Sequence, residues 1–576
     1  MVELIISEKP SQAQKIAEAL ADSKPKKIVE DKVSYYELTH KNKKIYVGCA
    51  VGHLFNLKEK NKKGWTYPVF EIEWVASYEI NKASGFTKKY IDVLSKLAKK
   101  SDSFVVACDY DLEGSLIGYN VLRFIAKQKD GKRMKFSNLT KEEIQESYEN
   151  ASKHLDFPLI ESGEARHVID WLMGINLSRA LTLSIKNATN SFKILSSGRV
   201  QGPTLKILAD RELEIQSFKP KSYWELESLG DLYSQHKKGK FWEEKEVKKI
   251  HEKIKNERTA VIEKITKKTQ LQSPPNPFDL TSLQLEAYRL FKINPKDSLA
   301  IAQILYTKAY ISYPRTSSNQ FPANINLRSI LQKLEKQEEY KKLIRELLSR
   351  KDLKPNNGKK QDPAHPPIHP TGIEPKKISD KERRIYDLIV RRTLATLAEP
   401  AKRESVSVEL SVKKEPFIAT GIRTIEPGWH KFYGKYAIFE ETIIPNIKEG
   451  EISKIKKINL LSKETQPPKR YTPASIIKEL EQKNLGTKAT RASIIDALYQ
   501  RNYLTGQSIQ VTNLGLKTVQ TLEKYCPEIL DEEMTRKLEQ DMENIREKKE
   551  TKEKVLSSAK KHLTKILKHF KENEIK

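Results

Sequence analysis

Two short apolar runs near the N-terminus share one shape. In VELIISEKP and in SFVVACDYD, apolar and β-branched residues run together and then turn polar at the C-terminal end. Each run predicts a buried strand, and SQAQKIAEAL predicts the helix that returns from the first. In an open α/β sheet such strand ends deliver their side chains to one crevice, so both runs bring acidic residues to it. Helical periodicity then dominates from KEEIQESYENASKHL to about Ile215. Residues 218–265 and 402–460 switch to period two (SVSVELSVKK, YAIFEETIIP), the mark of strands. They flank a helical block at about 280–400, which predicts one β-rich domain assembled from two separated stretches. Lys351 to His369 is rich in Pro, Lys and Gly and reads as loop. From Glu533 onward the pattern is helical and basic, with Val555, Ala559, Leu563, Leu567 and Phe570 on one face.

The chain also repeats itself. Ile301, Leu305, Tyr306, Lys308, Tyr310 and Ile311 match Ile494, Leu498, Tyr499, Arg501, Tyr503 and Leu504 at identical spacing. Each copy follows another helix and ends at an expected strand, the plan of a winged-helix-like unit. A chance likeness at two helix-to-strand junctions has the same appearance. If the repeat is genuine, Tyr313 of the first copy corresponds to Gly506 of the second.

A chain of 576 residues exceeds a single core and points to roughly three to five domains. Its 105 Lys and Arg against 76 Asp and Glu leave +29, a field that attracts polyanions, nucleic acid foremost. A lysine-rich solubilising surface accounts for the surplus equally well, so charge alone does not decide. Cys49, Cys108 and Cys526 lie far apart with no C-x-x-C pair, which excludes a disulfide framework and a cysteine zinc ribbon. MVELIISEKP is not a signal peptide, and no stretch is long enough to span a membrane. The expectation is an intracellular, soluble protein.

Four segments carry chemistry. Glu8 ends the first strand, and Asp109, Asp111 and Glu113 of CDYDLEG end a later one. Alternate residues of an extended segment share a face, so Asp109 and Asp111 can cooperate. Their mutual repulsion is relieved by a hard cation such as Mg²⁺, which can polarise a phosphate. Glu8, raised by such neighbours, can give a proton to a leaving oxygen. A D-x-D on its own reads better as a solvated turn; the preceding strand, Gly114 and S-E-K-P favour the site. In YISYPRTSS, Tyr313 precedes Arg315, whose planar fork can stabilise an attacked phosphate and a phenolate nucleophile. Most tyrosines simply pack, Tyr306 and Tyr310 included. In SSGRVQGPTL, small residues let backbone N–H groups approach a phosphate while Arg199 and Gln201 add donors; an ordinary loop into a helix fits as well. In AHPPIHPTG, His365 and His369 stand four apart, but the prolines forbid a helical metal pair, leaving phosphate contact or proton transfer ahead of zinc.

Taken in order, IISEKPS, CDYDLEG, SSGRVQGP, PFDLTSLQLEAY, YISYPRTSS, AHPPIHP and NLGTKATRASII resemble type IA DNA topoisomerases over about residues 2 to 545. S-E-K-P and T-x-A-T-R-A resemble the archaeal and topoisomerase III branch most. The resemblance implies a multidomain protein of α/β, α and β domains: a Toprim α/β domain over 1–155, then a toroidal core with winged-helix-like modules. Segments 156–216 and 465–576 would form a helical DNA-binding domain with a basic tail. Segments 217–275 and 400–464 would form a β-rich arch, and 276–399 a helical gate. It implies that Tyr313 attacks one DNA strand, leaving a 5′-phosphotyrosine and a free 3′-OH, and that strand passage and Mg²⁺-dependent resealing follow. Arg315 would steady the phosphate, His365 would lie near the scissile group, and Lys9 would serve cleavage. Glu8 would be acid/base and metal ligand, with Asp109, Asp111 and Glu113 the acidic triad. Ser196, Ser197, Gly198, Arg199, Val200, Gln201 and Arg491 would contact DNA. Leu112 and Ser115 depart from the arginine and glutamate of many relatives. The implied protein is a monomer without zinc, cytoplasmic and nucleoid-associated. It acts on single-stranded or underwound DNA, relaxes negative supercoils, and has decatenation and a partner helicase as further candidates.

Two other classes are open. A Toprim primase or nuclease would use the same acids and need no tyrosine. A DNA-bridging or remodelling scaffold would use only charge and the winged-helix-like modules and leave the acids at 8, 109 and 111 dispensable. An ATP-driven machine is disfavoured, since no G-x-x-x-x-G-K-[ST] loop occurs.

Overall fold

The computed structural model describes residues 2–62, 64–189, 198–525 and 527–574. Ser196, Ser197 and Cys526 fall outside them. Among the described residues no helix is long and apolar enough to cross a membrane.

The first apolar run is the strand Val2–Ser7, paired in parallel with Lys43–Cys49 on one side and Ser103–Val106 on the other. The sheet order is Lys26–Glu30, Val33–His40, Lys43–Cys49, Val2–Ser7, Ser103–Val106, Lys132–Arg133. A central parallel strand is covered on both faces, which is why LII reads as continuous apolar sequence. Ile5, Ile45 and Val105 face the helix Pro10–Leu20, while Leu4, Ile6 and Val106 face the helices Thr87–Ala98 and Leu112–Val121.

The period-two stretches form a closed antiparallel barrel. Its strands are Ser222–Gly230, Ser234–His236 and Thr259–Gln272 before the helical block, then Ala401–Val412, Glu415–Glu426 and Ile452–Glu464 after it. The register slips between Ile262 and Lys264, Lys402 and Arg403, and Ile455 and Lys457, and such bulges bend strands enough to close a barrel. Leu226, Phe241, Ile262, Val408, Leu410 and Phe417 fill its interior.

The helical block carries Leu280–Phe291, Pro295–Thr307, Leu327–Leu334, Glu338–Leu348 and Asp380–Thr396. It sits directly on the N-terminal α/β layer: one apolar cluster runs unbroken from Ala13 and Ile16 to Tyr306, Tyr313 and Leu331. The apolar stripe of the tail, Val555 to Phe570, is buried in a cluster with the long helix Phe157–Thr189.

The internal repeat extends to geometry. Pro295–Thr307 and Arg491–Gln500 each follow a helix opened by a capping box, Asp279 with Ser282 and Thr472 with Ser475. Both end in a left-handed residue at the same place, Ala309 (φ 64°) and Asn502 (φ 59°). The N–H groups of Tyr310 and Tyr503 then return to the carbonyls of Leu305 and Leu498 at 2.9 and 3.1 Å. The modules face each other across a seam spanned by the Lys296–Asp496 ion pair at 2.6 Å.

Candidate active site

Because Val2–Ser7 and Ser103–Val106 lie side by side in parallel, Glu8, Lys9 and Asp109 leave the sheet at the same edge. Asp109 is 1% exposed and takes three donors: Lys9 Nζ at 3.0 Å, Gln12 Nε2 at 2.9 Å and the Tyr306 hydroxyl at 3.0 Å. Lys9 also lies 3.2 Å from Glu8. Burial, with Asp109 beside it, pushes the Glu8 carboxyl up to about 7, and Lys9 offsets this only in part. Burial works against the Lys9 ammonium, but Asp109 and Glu8 hold it above its ordinary value.

Asp111 caps the helix Leu112–Val121, accepting the Gly114 N–H at 2.8 Å and the Tyr313 hydroxyl at 2.6 Å. Arg315 Nη1 is 3.9 Å away. Burial would raise the Asp111 carboxyl, yet Arg315, Tyr313 and the Gly114 N–H together hold it below its ordinary value. Position 114 admits glycine alone, since a Cβ there would meet the Asp109 carbonyl oxygen at 2.2 Å.

Tyr313 is 1% exposed. Burial first, then Asp111 and Asp109, push its phenol well above the usual range. Its ring packs on His365, centroids 4.5 Å apart, and edge-on to Tyr306 at 5.1 Å. His365 Nε2 lies 3.1 Å from the Tyr110 carbonyl, and Nδ1 lies 3.1 Å from Ser137 Oγ. A carbonyl only accepts, so Nε2 carries the proton and Nδ1 receives the Ser137 hydroxyl. Burial pulls this imidazole down to about 4, so it is neutral near pH 7.

Several contributors escape a reading of motifs. Asp362 anchors the His365 loop, accepting from the N–H groups of Ser317, Ala364 and His365 and pairing with Lys488 of T-K-A-T-R. Arg133 is 1% exposed and donates to the carbonyls of Val106, Cys108, Met134 and Asp109, which fixes the acid-bearing turn. Gln12 carries a weak signal, one helical turn after Glu8. Asp362, three residues before His365, carries another. Nothing local marks Arg133 or Tyr306.

Other expected residues lie elsewhere. Glu113 places its carboxylate 2.8 Å from His53 Nε2, which lowers it, while Asp111 lies near enough to oppose that lowering. Arg199 is 4% exposed and pairs with Asp170 and Glu539, both at 2.9 Å. Arg491 donates to the carbonyls of Leu485 and Gly486 at 3.1 and 3.0 Å. Both guanidiniums were expected to face phosphate. A buried guanidinium needs partners at once, and these two find them inside the protein. Gln201 is bonded to Arg501, Val200 is buried, and the Gly198 carbonyl accepts the Gln201 N–H at 3.0 Å. His369 is buried and bonds the Pro367 carbonyl at 2.7 Å, taking no part in the cluster.

Comparison with known proteins gives a consistent result. The Toprim domain family matches residues 3–139, and the DNA topoisomerase family matches residues 154–557. The chain is 49% identical to DNA topoisomerase 1 of Methanocaldococcus jannaschii, covering 100% of this chain and 75% of that protein. It is 47% identical to DNA topoisomerase 1 of Pyrococcus horikoshii, covering 99% and 84%. The structure of full-length topoisomerase I from Thermotoga maritima superposes with a TM-score of 0.77 at 25% identity, over 98% of this chain and 90% of that one. An acid-bearing α/β sheet, a closed β-barrel and a tyrosine-bearing helical block thus belong together: this chain is a member of the type IA DNA topoisomerase family.

Proposed function

We propose that Tyr313 is the nucleophile. Its oxygen forms a bond to a backbone phosphorus as the bond from phosphorus to the 3′-oxygen breaks, leaving a 5′-phosphotyrosine and a free 3′-OH. The observation that carries this reading is the 2.6 Å hydrogen bond from the Tyr313 hydroxyl to Asp111, within reach of Arg315. Asp111 is the base placed to receive the phenolic proton. Arg315 faces the same carboxylate and supplies donors to the attacked phosphate. Glu8, raised to about 7, holds the proton that the departing 3′-oxygen needs and takes it back when the strand is resealed. Lys9 balances Glu8 and Asp109 between these steps. His365, neutral and pinned at both nitrogens, packs against the phenol and directs it.

Glu8, Asp109 and Asp111 suit Mg²⁺: they offer oxygen donors alone, and the Glu8 carboxyl is raised by burial first and then by its acidic neighbours. Held there, Mg²⁺ would supply positive charge to a phosphate oxygen. The substrate is read as single-stranded or underwound DNA.

Incubation with single-stranded DNA labelled at its 3′ end tests the assignment on a denaturing gel. Wild type should carry label covalently, and Tyr313→Phe should bind DNA without forming an adduct. Undiminished adduct in Tyr313→Phe would remove Tyr313 from this role and bring Tyr306 forward. Chelation of Mg²⁺ should abolish resealing while some cleavage persists. Asp111→Asn that relaxes DNA normally at low Mg²⁺ would contradict the metal assignment.

A further inference from the structure

Glu113 faces two imidazoles. His53 Nε2 is 2.8 Å from its carboxylate, and the His53 and His167 rings lie 5.2 Å apart at 31°. One ligand atom from each of His53, Glu113 and His167 fits within a span of 4.8 Å, the one such grouping of three among the described residues. The three come from separate elements: the turn after Lys43–Cys49, the first turn of Leu112–Val121, and the long helix Phe157–Thr189.

Each member is held in place. Trp74 stacks on His167 at 5.0 Å and 20°, and the Arg123 guanidinium covers Trp74 at 5.1 Å. His53 is presented by a strained turn, since Val51 takes a left-handed φ of 52° that β-branched residues rarely adopt. That turn is tied to the catalytic strand through Ala50 N–H to the Ser7 carbonyl and Gly52 N–H to the Glu8 carbonyl. His53 Nδ1 is buried without a hydrogen-bond partner.

We propose that His53, Glu113 and His167 bind one divalent transition-metal ion, at a site separate from the all-oxygen cluster of Glu8, Asp109 and Asp111. Two imidazoles and one carboxylate suit borderline ions such as Zn²⁺ or Co²⁺, whereas Mg²⁺ prefers oxygen and keeps its waters. Donor atoms around a tetrahedral ion sit about 3.3 Å apart. The His53–Glu113 pair is already closer than that, and a ring nitrogen of His167 lies within 4.8 Å of both ligand atoms. Three protein ligands leave one position open on the ion. The proposal does not depend on which tyrosine attacks DNA.

The test uses the full chain, stripped by chelator, reloaded with Zn²⁺ in excess Mg²⁺, and passed through a desalting column. Wild type should retain one Zn²⁺ per chain, and Co²⁺ in its place should give a visible d–d absorption band. His167→Ala and His167→Gln should lose that band and bind Zn²⁺ at least about tenfold more weakly. Tyr313→Phe should keep both signals. Adduct formation with Mg²⁺ and an unchanged melting temperature of the stripped His167 variants would show that they fold. Wild type that emerges without Zn²⁺ would overturn the proposal. So would His167 variants that retain Zn²⁺ as wild type does, and the trio would then be a hydrogen-bonded Glu–His pair with a stacked neighbour. If the Gln variant fails to fold, His53→Ala takes its place, with the same outcomes deciding.

Discussion

Glu8 and His365 are both displaced from their ordinary titration ranges, so that near pH 7 His365 is neutral and Glu8 is at its own titration point. Burial and Asp109 raise Glu8 from 4.5 to about 7, and burial lowers His365 to about 4. An inflection in cleavage near neutrality therefore belongs to Glu8. As an acid it must be protonated, so single-turnover cleavage in chelator should fall as pH rises through about 7. Glu8→Gln should flatten that profile, and a profile unchanged in Glu8→Gln would assign the proton elsewhere. The stability sign runs the same way. The folded chain binds this proton more tightly than the unfolded one, so ionising Glu8 weighs against folding increasingly between pH 4.5 and about 7. Sequence was a good guide to which acids end the two strands, because period and polarity decide that locally. It could not give the direction of Glu113, because His53 reaches that carboxylate from another turn, across 60 residues of chain.

Among the elements, the same distinction applies to Arg199, for which the loop sequence predicts a phosphate contact and whose present partners are internal. Gly and Ser neighbours signal an open loop, but the partners that bury Arg199 come from the long helix and from Glu539, 340 residues away. Arg199→Ala would take from Glu539 one of its two guanidinium partners, Arg166 remaining, and should cost about 2 kcal/mol, read as a lower melting temperature. Its DNA affinity should keep the wild-type dependence on salt, whereas loss of a phosphate contact reduces that slope by about one. A reduced slope in Arg199→Ala would return the residue to the DNA. The helical part of the repeat, by contrast, is legible in the sequence, since spacing, caps and left-handed turn residues are local; the strand expected after the first copy is only a single bridge, Ile311 to Pro370, where the second copy has Leu504–Thr505. Its two copies differ where it matters: the first leads on to Tyr313, and the second reaches Gly506 in a left-handed turn (φ 76°).

For the whole molecule, the burial of the tyrosine proposed to attack DNA is the feature with most consequence for activity. Tyr313 and Tyr306 are buried against Asp111 and Asp109, Lys488 pairs with Asp362, and Lys296 pairs with Asp496. DNA must part these contacts, and the chain holds no nucleotide-binding loop to drive the motion. The energy then comes from torsion stored in the substrate. Relaxation of negatively supercoiled plasmid should proceed without ATP, in linking-number steps of one, and positively supercoiled plasmid should remain largely untouched. Negative supercoiling opens single strands in the duplex, and because a strand is held through its phosphates salt should inhibit steeply. Topoisomer ladders in steps of two, or dependence on ATP, would refute this account.

The closed barrel also dictates an order of birth. Its strand Thr259–Gln272 pairs with Ala401–Val412 on one side and Ile452–Glu464 on the other, and Ser222–Gly230 also waits for Ile452–Glu464. During synthesis the first three barrel strands leave the ribosome with most of their hydrogen-bonding edges bare. They stay so until the whole tyrosine-bearing block has followed them out. That block must therefore be able to fold while its own support is half made, and its five helices of mostly local contacts suit it to do so. A nascent chain arrested before residue 452 is an open sheet with exposed edges, the form most prone to pair with its neighbours on a polysome.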